Sequence, residues 1–224
     1  HSREAKYLNQ EFPNKDWSYH NYRDSNINNY YYALKKFYKK FDIKSFRFGK
    51  NTEYSFTYDK NILDLTNNSI YSDELELDFI NNSKFVLCSD TGASCYAEYI
   101  FKPIVYVNWS NPMRISRWVP NSIFIFKKIR NVKTGKLLSL RETFNIDFND
   151  INYLIKNLEF IENTEDEIFH AISEQYLRLN NRWESSKEDT LMQCKFWELF
   201  LDYDYSKSKT FIGNQFLKEN TYLL

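Results

Sequence analysis

Compact apolar segments joined by helical segments constrain the fold of this 224-residue chain more than any other feature. Residues 84–88 form a short apolar run, which is typical of a strand buried on both faces of a parallel sheet. Residues 104–109 and 122–126 are further apolar runs of strand length. Parallel strands need a crossover connection, usually a helix, so these runs predict a parallel sheet in which strands and helices alternate.

Apolar side chains recur at helical spacing between these runs, and residues that cap helices precede them. Asn26 and Ser72 are such caps, because their side chains accept hydrogen bonds from free backbone N–H groups. Pro103 ends the last of these helices, since proline lacks the N–H that a helix needs. The pattern predicts helices over residues 27–40, 73–82 and 93–101, and a strand over residues 43–48 that ends at Gly49.

After residue 138 the pattern becomes helical. Thr164 and Glu167 have the spacing of a capping box. The expected fold class is α/β, a Rossmann-like parallel sheet with flanking helices and a helical C-terminal tail over about residues 147–224. No boundary divides residues 1–224, so we expect a single domain, and the start at His1 without an initiator Met suggests a missing upstream domain. The tail is expected to contain helices over residues 147–158, 187–203 and 209–218, besides the one that begins at the capping box.

Composition excludes several functional classes. The 30 basic residues balance the 30 acidic ones, which gives no electrostatic footprint for nucleic acid. No apolar run approaches the roughly 18 residues of a membrane-spanning helix. Cys88, Cys95 and Cys194 have no metal-ligand spacing, and their odd number argues against a disulfide framework, so a reducing cytoplasm and buried free thiols are expected. Because the chain has only 4 glycines, we expect each to stand where a side chain is not tolerated.

The first candidate site lies where the strand over residues 84–88 meets the next helix, since open α/β sheets bind ligands beyond the carboxyl ends of their strands. Free backbone N–H groups and the positive end of the helix favour a phosphate there. Gly92 would let a diphosphate approach closely, and neighbouring hydroxyl groups add donors. An ordinary capped helix explains the same residues equally well, so both interpretations stay open. The site comprises Ser89, Asp90, Thr91, Gly92, Ala93 and Ser94.

Basic and aromatic side chains form a second candidate site near the start of the chain. The guanidinium group suits anionic oxygens because its contacts are bidentate and its charge is permanent. Arg47 adds such a group just before Gly49. Surface ion pairing is the alternative, for example of Arg23 with Asp24 or Glu4, and His20 by itself fits an ordinary loop histidine. The cluster consists of Arg3, Glu4, Tyr19, His20, Tyr22 and Arg23.

Short motifs also stand in a fixed order along nearly the whole chain. They are His1-Ser2-Arg3-Glu4, Asp16-Trp17-Ser18-Tyr19-His20-Asn21-Tyr22-Arg23-Asp24-Ser25, Arg47-Phe48-Gly49, Ser89-Asp90-Thr91-Gly92 with Ala97, Lys102-Pro103-Ile104-Val105, Asn108-Trp109, Lys133-Thr134-Gly135-Lys136-Leu137-Leu138-Ser139, Asn163-Thr164-Glu165-Asp166-Glu167-Ile168 and Gly213-Asn214-Gln215-Phe216-Leu217. In order and spacing they resemble a bacterial family of glycosyltransferases with the GT-B architecture, related to heptosyltransferase-like enzymes of surface polysaccharide synthesis.

The resemblance implies two facing Rossmann-like domains, of which this chain is the carboxyl-terminal, donor-binding one. It implies sugar transfer from a nucleotide-sugar to a surface-polysaccharide, glycan or glycolipid acceptor, with no metal or other cofactor. Arg3 and Arg23 would be the catalytic residues, because they can stabilise the departing nucleoside diphosphate. The implied donor-binding residues are Glu4, Tyr19, His20, Arg47, Gly49, Ser89, Asp90, Thr91, Gly92, Ala93, Ser94 and Asn108.

In such enzymes the acceptor and the general base usually come from the amino-terminal domain, and the protein is cytoplasmic or peripheral at the inner face of the membrane. One departure concerns Tyr96-Ala97-Glu98, which stands where many related sugar-nucleotide enzymes carry a Glu pair, so ribose recognition by Glu98 is in doubt. A non-catalytic nucleotide- or sugar-binding module is the alternative hypothesis. An epimerase on the same scaffold is a third.

Overall fold

The elements of the fold come from a computed structural model that describes residues 12–49, 52, 54–56, 58–66, 68–200 and 210–224. The helices in this part of the chain are α1 (Ile27–Phe41), α2 (Asp73–Asn82), α3 (Ala93–Tyr99), α4 (Leu140–Thr143), α5 (Ile151–Asn157), α6 (Glu165–Leu179), α7 (Lys187–Trp197) and α8 (Asn214–Glu219). The strands are β1 (Ser45–Arg47), β2 (Ile62–Asp64), β3 (Val86–Cys88), β4 (Ile104–Trp109), β5 (Ser122–Phe126), β6 (Lys128–Asn131), β7 (Leu158–Ile161) and β8 (Thr210–Ile212). Short 3₁₀ helices lie at Ser18–Arg23, Pro112–Arg114 and Thr221–Leu223.

Four parallel strands form the main sheet, in the order β3, β4, β5, β8. Every residue of β4 and β5 is buried, and both strands coincide with the apolar runs that predict them. β3 is shorter than the run over residues 84–88. An α/β fold with a parallel sheet flanked by helices, as in Rossmann-like proteins, is thereby confirmed. Its core is centred on the Ile, Val and Phe side chains of the two middle strands.

Two long helices, α1 and α6, pack against each other beside this sheet. Asn26 caps α1 as predicted, since its side chain accepts a backbone hydrogen bond. The rings of Phe37 on α1 and Tyr176 on α6 meet edge to face, with their centroids 5.7 Å apart. The predicted capping box of Thr164 and Glu167 is present in full at the start of α6. α2 has the bounds that the sequence predicts.

The prediction of a purely helical C-terminal tail is wrong at two places. β7 pairs antiparallel with β6, and β8 is the fourth strand of the main sheet although the segment 209–218 was expected to be helical throughout. Gly213 ends β8, and a Cβ atom placed on it would lie 2.7 Å from Cγ2 of Ile125 on β5. A glycine at this position lets β8 approach β5, which local helical periodicity does not reveal.

A separate two-stranded parallel sheet is formed by β1 and β2. The predicted strand over residues 43–48 is therefore confirmed only at its centre. Phe46 and Phe48 hold α2 against this sheet through Phe79, at ring-centroid distances of 4.5 and 4.9 Å. Among the described residues, none of the helices has both the length and the apolar character to cross a membrane.

Candidate functional site

The turn between β3 and α3 lies at the carboxyl edge of the main sheet. Ser89 is fully buried there, and Oγ1 of Thr91 is buried without a hydrogen-bond partner in the described part of the chain. The N-cap position of α3 is Gly92, and no side chain caps the helix. The side-chain cap that one of the two open interpretations expects is therefore not seen in the described residues, and phosphate binding at this turn stays a prediction.

Backbone donors are available in this turn. The N–H groups of Ser94 and Cys95 donate to the carbonyl oxygens of Thr91 and Gly92, at 3.2 and 3.1 Å. Within the described residues, the N–H groups of Asp90, Thr91 and Gly92 find no backbone acceptor. Successive N–H groups without a backbone acceptor, beside a buried hydroxyl, form the kind of turn that favours an anionic ligand.

Gly92 leaves open space beside the turn. A Cβ atom added to it would meet no atom of the described residues within 4 Å. Its backbone is right-handed helical (φ −59°, ψ −26°), which any residue adopts. The expectation that every glycine stands where a side chain is not tolerated is therefore wrong at this position. The open volume is consistent with close approach of a ligand to the backbone.

Arg23 reaches the same turn from the end of the 3₁₀ helix Ser18–Arg23. Its Nη2 atom donates to the carbonyl oxygen of Asp90 at 2.9 Å and to Oδ1 of Asp90 at 2.8 Å. Its Nε atom is buried and has no hydrogen-bond partner among the described residues. The ion-pairing alternative for Arg23 is thus right in kind, but the partner is Asp90 rather than Asp24. This pair joins the two candidate sites, which lie 67 residues apart in sequence.

A buried polar network connects the segments that lie behind the turn. The Tyr30 hydroxyl on α1 lies 3.1 Å from Oγ of Ser25 and accepts a hydrogen bond from Nδ2 of Asn108, also at 3.1 Å. Burial raises the pKa of Tyr30 to about 12, although hydrogen bonds with Ser25, Asn108 and Ser89 act in the opposite direction. The phenol therefore stays protonated at neutral pH. It ties α1 to the carboxyl ends of β3 and β4.

Asn108 belongs to this network and is fully buried. Its backbone N–H donates to Oδ1 of Asn163, and its own Oδ1 accepts from the Asn163 N–H, both at 2.6 Å. The left-handed backbone (φ 53°) explains the residue type, because asparagine tolerates this conformation better than most residues. Both polar groups of the side chain are bonded within the fold. Asn108 thus has a structural role, and its direct contact with a donor stays a prediction.

Arg47 and Gly49 lie on or directly after β1. Nη1 of Arg47 is 2.9 Å from Oδ2 of Asp64, and these side chains are only 5% and 9% exposed. Burial acts to raise the pKa of Asp64, but hydrogen bonds from Phe56 and Thr66 together with the Arg47 charge outweigh it and lower the pKa. The structure thus brings Arg47 together with β2 in an ion pair. Its donor-binding role stays a prediction.

Tyr19 and His20 lie within the 3₁₀ helix, with ring centroids 4.0 Å apart. They stand three and four residues before Arg23, about one turn of this helix, so the structure brings them towards the same edge of the sheet. Arg3 and Glu4 lie outside the described residues.

Several polar groups at this edge are not among the residues predicted from the sequence. Lys127 directly follows β5, is buried, and donates through Nζ to the carbonyl oxygen of Asp24. Nε1 of Trp109 and Oγ of Ser110, at the end of β4, are buried without hydrogen-bond partners in the described part of the chain. A polar residue directly after a fully apolar strand was the available signal. Glu98, whose ribose contact was in doubt, accepts a hydrogen bond from the Tyr106 hydroxyl at 2.7 Å.

The described residues also include side chains with the chemistry of metal ligands and thiols. They contain no group of three or more His, Cys, Asp or Glu side chains that could hold a metal ion. All three cysteines are free. Burial raises the pKa of the Cys88 thiol to about 12, so this thiol stays protonated, whereas Cys95 is exposed rather than buried as expected.

The fold and the site define an α/β protein with polar groups gathered at the carboxyl edge of a parallel sheet. Comparison of the chain with protein-family models, curated protein sequences and solved structures finds no match. Its function therefore has to be argued from the site.

Proposed function

We propose that this chain is the donor-binding domain of a glycosyltransferase that uses a nucleotide-sugar. The observation that carries the proposal is the contact of Arg23 with the turn after β3 at the carboxyl edge of the sheet. Each of these two segments by itself has the residues expected to bind anionic oxygens. This contact lies beyond the carboxyl end of β3, and open α/β sheets place their ligands beyond the carboxyl ends of their strands.

The diphosphate would be held mainly by hydrogen bonds. The Asp90 carboxylate balances the charge of Arg23, so net positive charge is not the main attraction. Donors remain at Nε of Arg23, at Oγ1 of Thr91 and at the backbone N–H groups of the turn. Oriented donors of this kind stabilise charge that develops on a leaving group, here the nucleoside diphosphate that departs from the sugar.

Gly92 supports this arrangement. The fold leaves room for a larger side chain at this N-cap position, where glycine is only one of several favourable residues. The protein's own packing therefore gives no reason for glycine here. Close approach of a ligand to the backbone does.

The resemblance supports the rest of the proposal. It assigns the GT-B architecture, an acceptor that is a glycan or glycolipid of surface polysaccharide, and a general base from an amino-terminal domain. In this arrangement Arg23 is the described residue that would contact the reacting diphosphate, and the network around Tyr30 would position the turn. A non-catalytic binding module shares the donor site but not the transfer.

Thermal unfolding with and without nucleoside diphosphates tests donor binding. A ligand at about 100 times its Kd stabilises the folded state by about 2.7 kcal/mol, which for a chain of this size raises Tm by roughly 5–11 °C. Gly92→Val should abolish the shift while the free variant still folds, because a Cβ atom there meets nothing within 4 Å. Thr91→Arg should do the same by filling the site. Absence of a shift in the wild-type protein with every common nucleoside diphosphate would refute the proposal.

Turnover measurements separate transfer from binding alone. The transferase should move a sugar from donor to acceptor when this domain is joined to an acceptor-binding domain, and Arg23→Ala should remove that activity. Binding without transfer under these conditions would favour the non-catalytic module. Conversion of a free sugar nucleotide without an acceptor would indicate an epimerase.

A further inference from the structure

The 3₁₀ helix Ser18–Arg23 presents three distinct sides, because its three residues per turn align side chains at positions i and i+3. Ser18 and Asn21 are exposed and form the solvent side. Tyr22 lies on the packing side, with its ring centroid 5.0 Å from that of Phe160 on β7. Tyr19 belongs to the same row, but its ring stacks on Trp17 at a centroid distance of 5.9 Å and lies 4.0 Å from the ring of His20. The third side is formed by the N-cap residue Trp17 together with His20 and Arg23. We call this row the aromatic stripe.

The aromatic stripe leads from flat rings to a cation. The rings of Trp17 and His20 are nearly parallel, with an interplanar angle of 15° and centroids 6.2 Å apart. Both side chains are partly exposed. A 3₁₀ helix rises about 2.0 Å per residue, so His20 precedes Arg23 by about 6 Å and Trp17 precedes it by about 12 Å.

The cationic end of the stripe is anchored and still has a donor. Nη2 of Arg23 is fixed by Asp90, whereas Nε is buried without a partner in the described part of the chain. A ligand whose anionic group bonds to Nε would extend its other end along the rings of the stripe. A nucleoside diphosphate has this layout, because the ribose separates a flat base from the phosphates.

We infer that the aromatic stripe binds the nucleobase of the donor, stacked on Trp17 beside His20, with the diphosphate at Arg23 and the turn after β3. This assignment rests on the proposed donor site and adds the element that distinguishes a nucleotide from a free diphosphate. Every base has a flat π face, so stacking favours nucleotides in general and discriminates weakly among bases.

Binding of two ligands to four proteins tests the inference. Uridine diphosphate and inorganic pyrophosphate are titrated into the wild type, Trp17→Ala, Trp17→Phe and the control Trp118→Ala by calorimetry. Trp118 is 59% exposed in the connection between β4 and β5, away from the stripe in sequence, so its loss controls for removal of an exposed indole. Alanine at Trp17 should weaken uridine diphosphate binding about 5- to 150-fold and leave pyrophosphate binding unchanged.

The comparison between ligands also controls for folding defects. Trp17→Phe should keep most of the affinity for uridine diphosphate, because a flat ring is retained, and Trp118→Ala should match the wild type. Unchanged uridine diphosphate binding in Trp17→Ala, or an equal loss for pyrophosphate, overturns the inference and leaves the donor site standing. Failure of the wild type to bind either ligand overturns the donor site together with the inference.

Discussion

Alanine at Gly213 should destabilise the protein because β8 approaches β5 closely at this residue. An added Cβ atom would lie 2.7 Å from Cγ2 of Ile125 and 3.6 Å from Cβ of Phe216. The first distance is shorter than real Cβ contacts, and Ile125 sits on a fully buried strand that cannot easily move. Overpacking of a core costs about 1–3 kcal/mol. For a chain of this size, Tm should fall by roughly 2–12 °C.

Alanine at Gly92 should have the opposite effect on the free protein. Its added Cβ atom meets nothing within 4 Å, and the backbone is already helical. Replacing glycine by alanine at such a position stabilises by about 0.4–1 kcal/mol, chiefly because the unfolded chain loses conformational freedom. The same methyl group would stand where we place the diphosphate. Stabilisation by a nucleoside diphosphate should therefore shrink in Gly92→Ala.

Urea unfolding and thermal scans of the two variants and the wild type measure both effects, with and without uridine diphosphate. Each variant is the matched control for the other, because the chemical change is identical. A Gly213→Ala protein as stable as the wild type would refute the close approach of β8 to β5. A loss of more than about 1 kcal/mol in ligand-free Gly92→Ala would refute the open space beside the turn.

Two further predictions concern buried polar groups. Asn163→Ala should lower the free energy of unfolding, measured in urea, by about 2–6 kcal/mol. The side chain of Asn163 now bonds the Asn108 N–H at 2.6 Å and the Phe126 carbonyl oxygen at 2.8 Å, and each group left without a partner costs roughly 1–3 kcal/mol. A loss below about 1 kcal/mol would contradict the network. The pKa of Asp64 is lowered from 3.8 in the folded protein, so its carboxylate contributes stability above that pH and loses it as the pH falls through the lower folded pKa. Asp64→Asn should therefore flatten the acid limb of stability against pH, and an unchanged slope in urea unfolding between about pH 5 and pH 2 would argue against this ion pair.

Local chemistry is what sequence patterns predict best in this protein. β4 and β5 are recognisable because each is a mainly apolar run of strand length, which is favourable when both faces of the strand are buried. The caps at Asn26 and Ser72 and the capping box before α6 are also local, since side chain and backbone N–H lie within three residues. These features determined the α/β class and the starts of α1, α2 and α6.

Contacts between distant segments were decided by the tertiary structure alone. β8 is a strand because β5 offers its edge and Gly213 permits the approach, although the surrounding residues have a helical pattern. Likewise, residue types predict that Arg23 forms an ion pair with an acidic residue. Only the packing of the 3₁₀ helix against the sheet makes Asp90 that residue. Arg47, chemically equivalent, is paired with Asp64 instead. The sequence by itself thus determined which groups could bind an anion, and the tertiary structure decided which of them meet, because long-range pairing depends on the relative positions of whole elements.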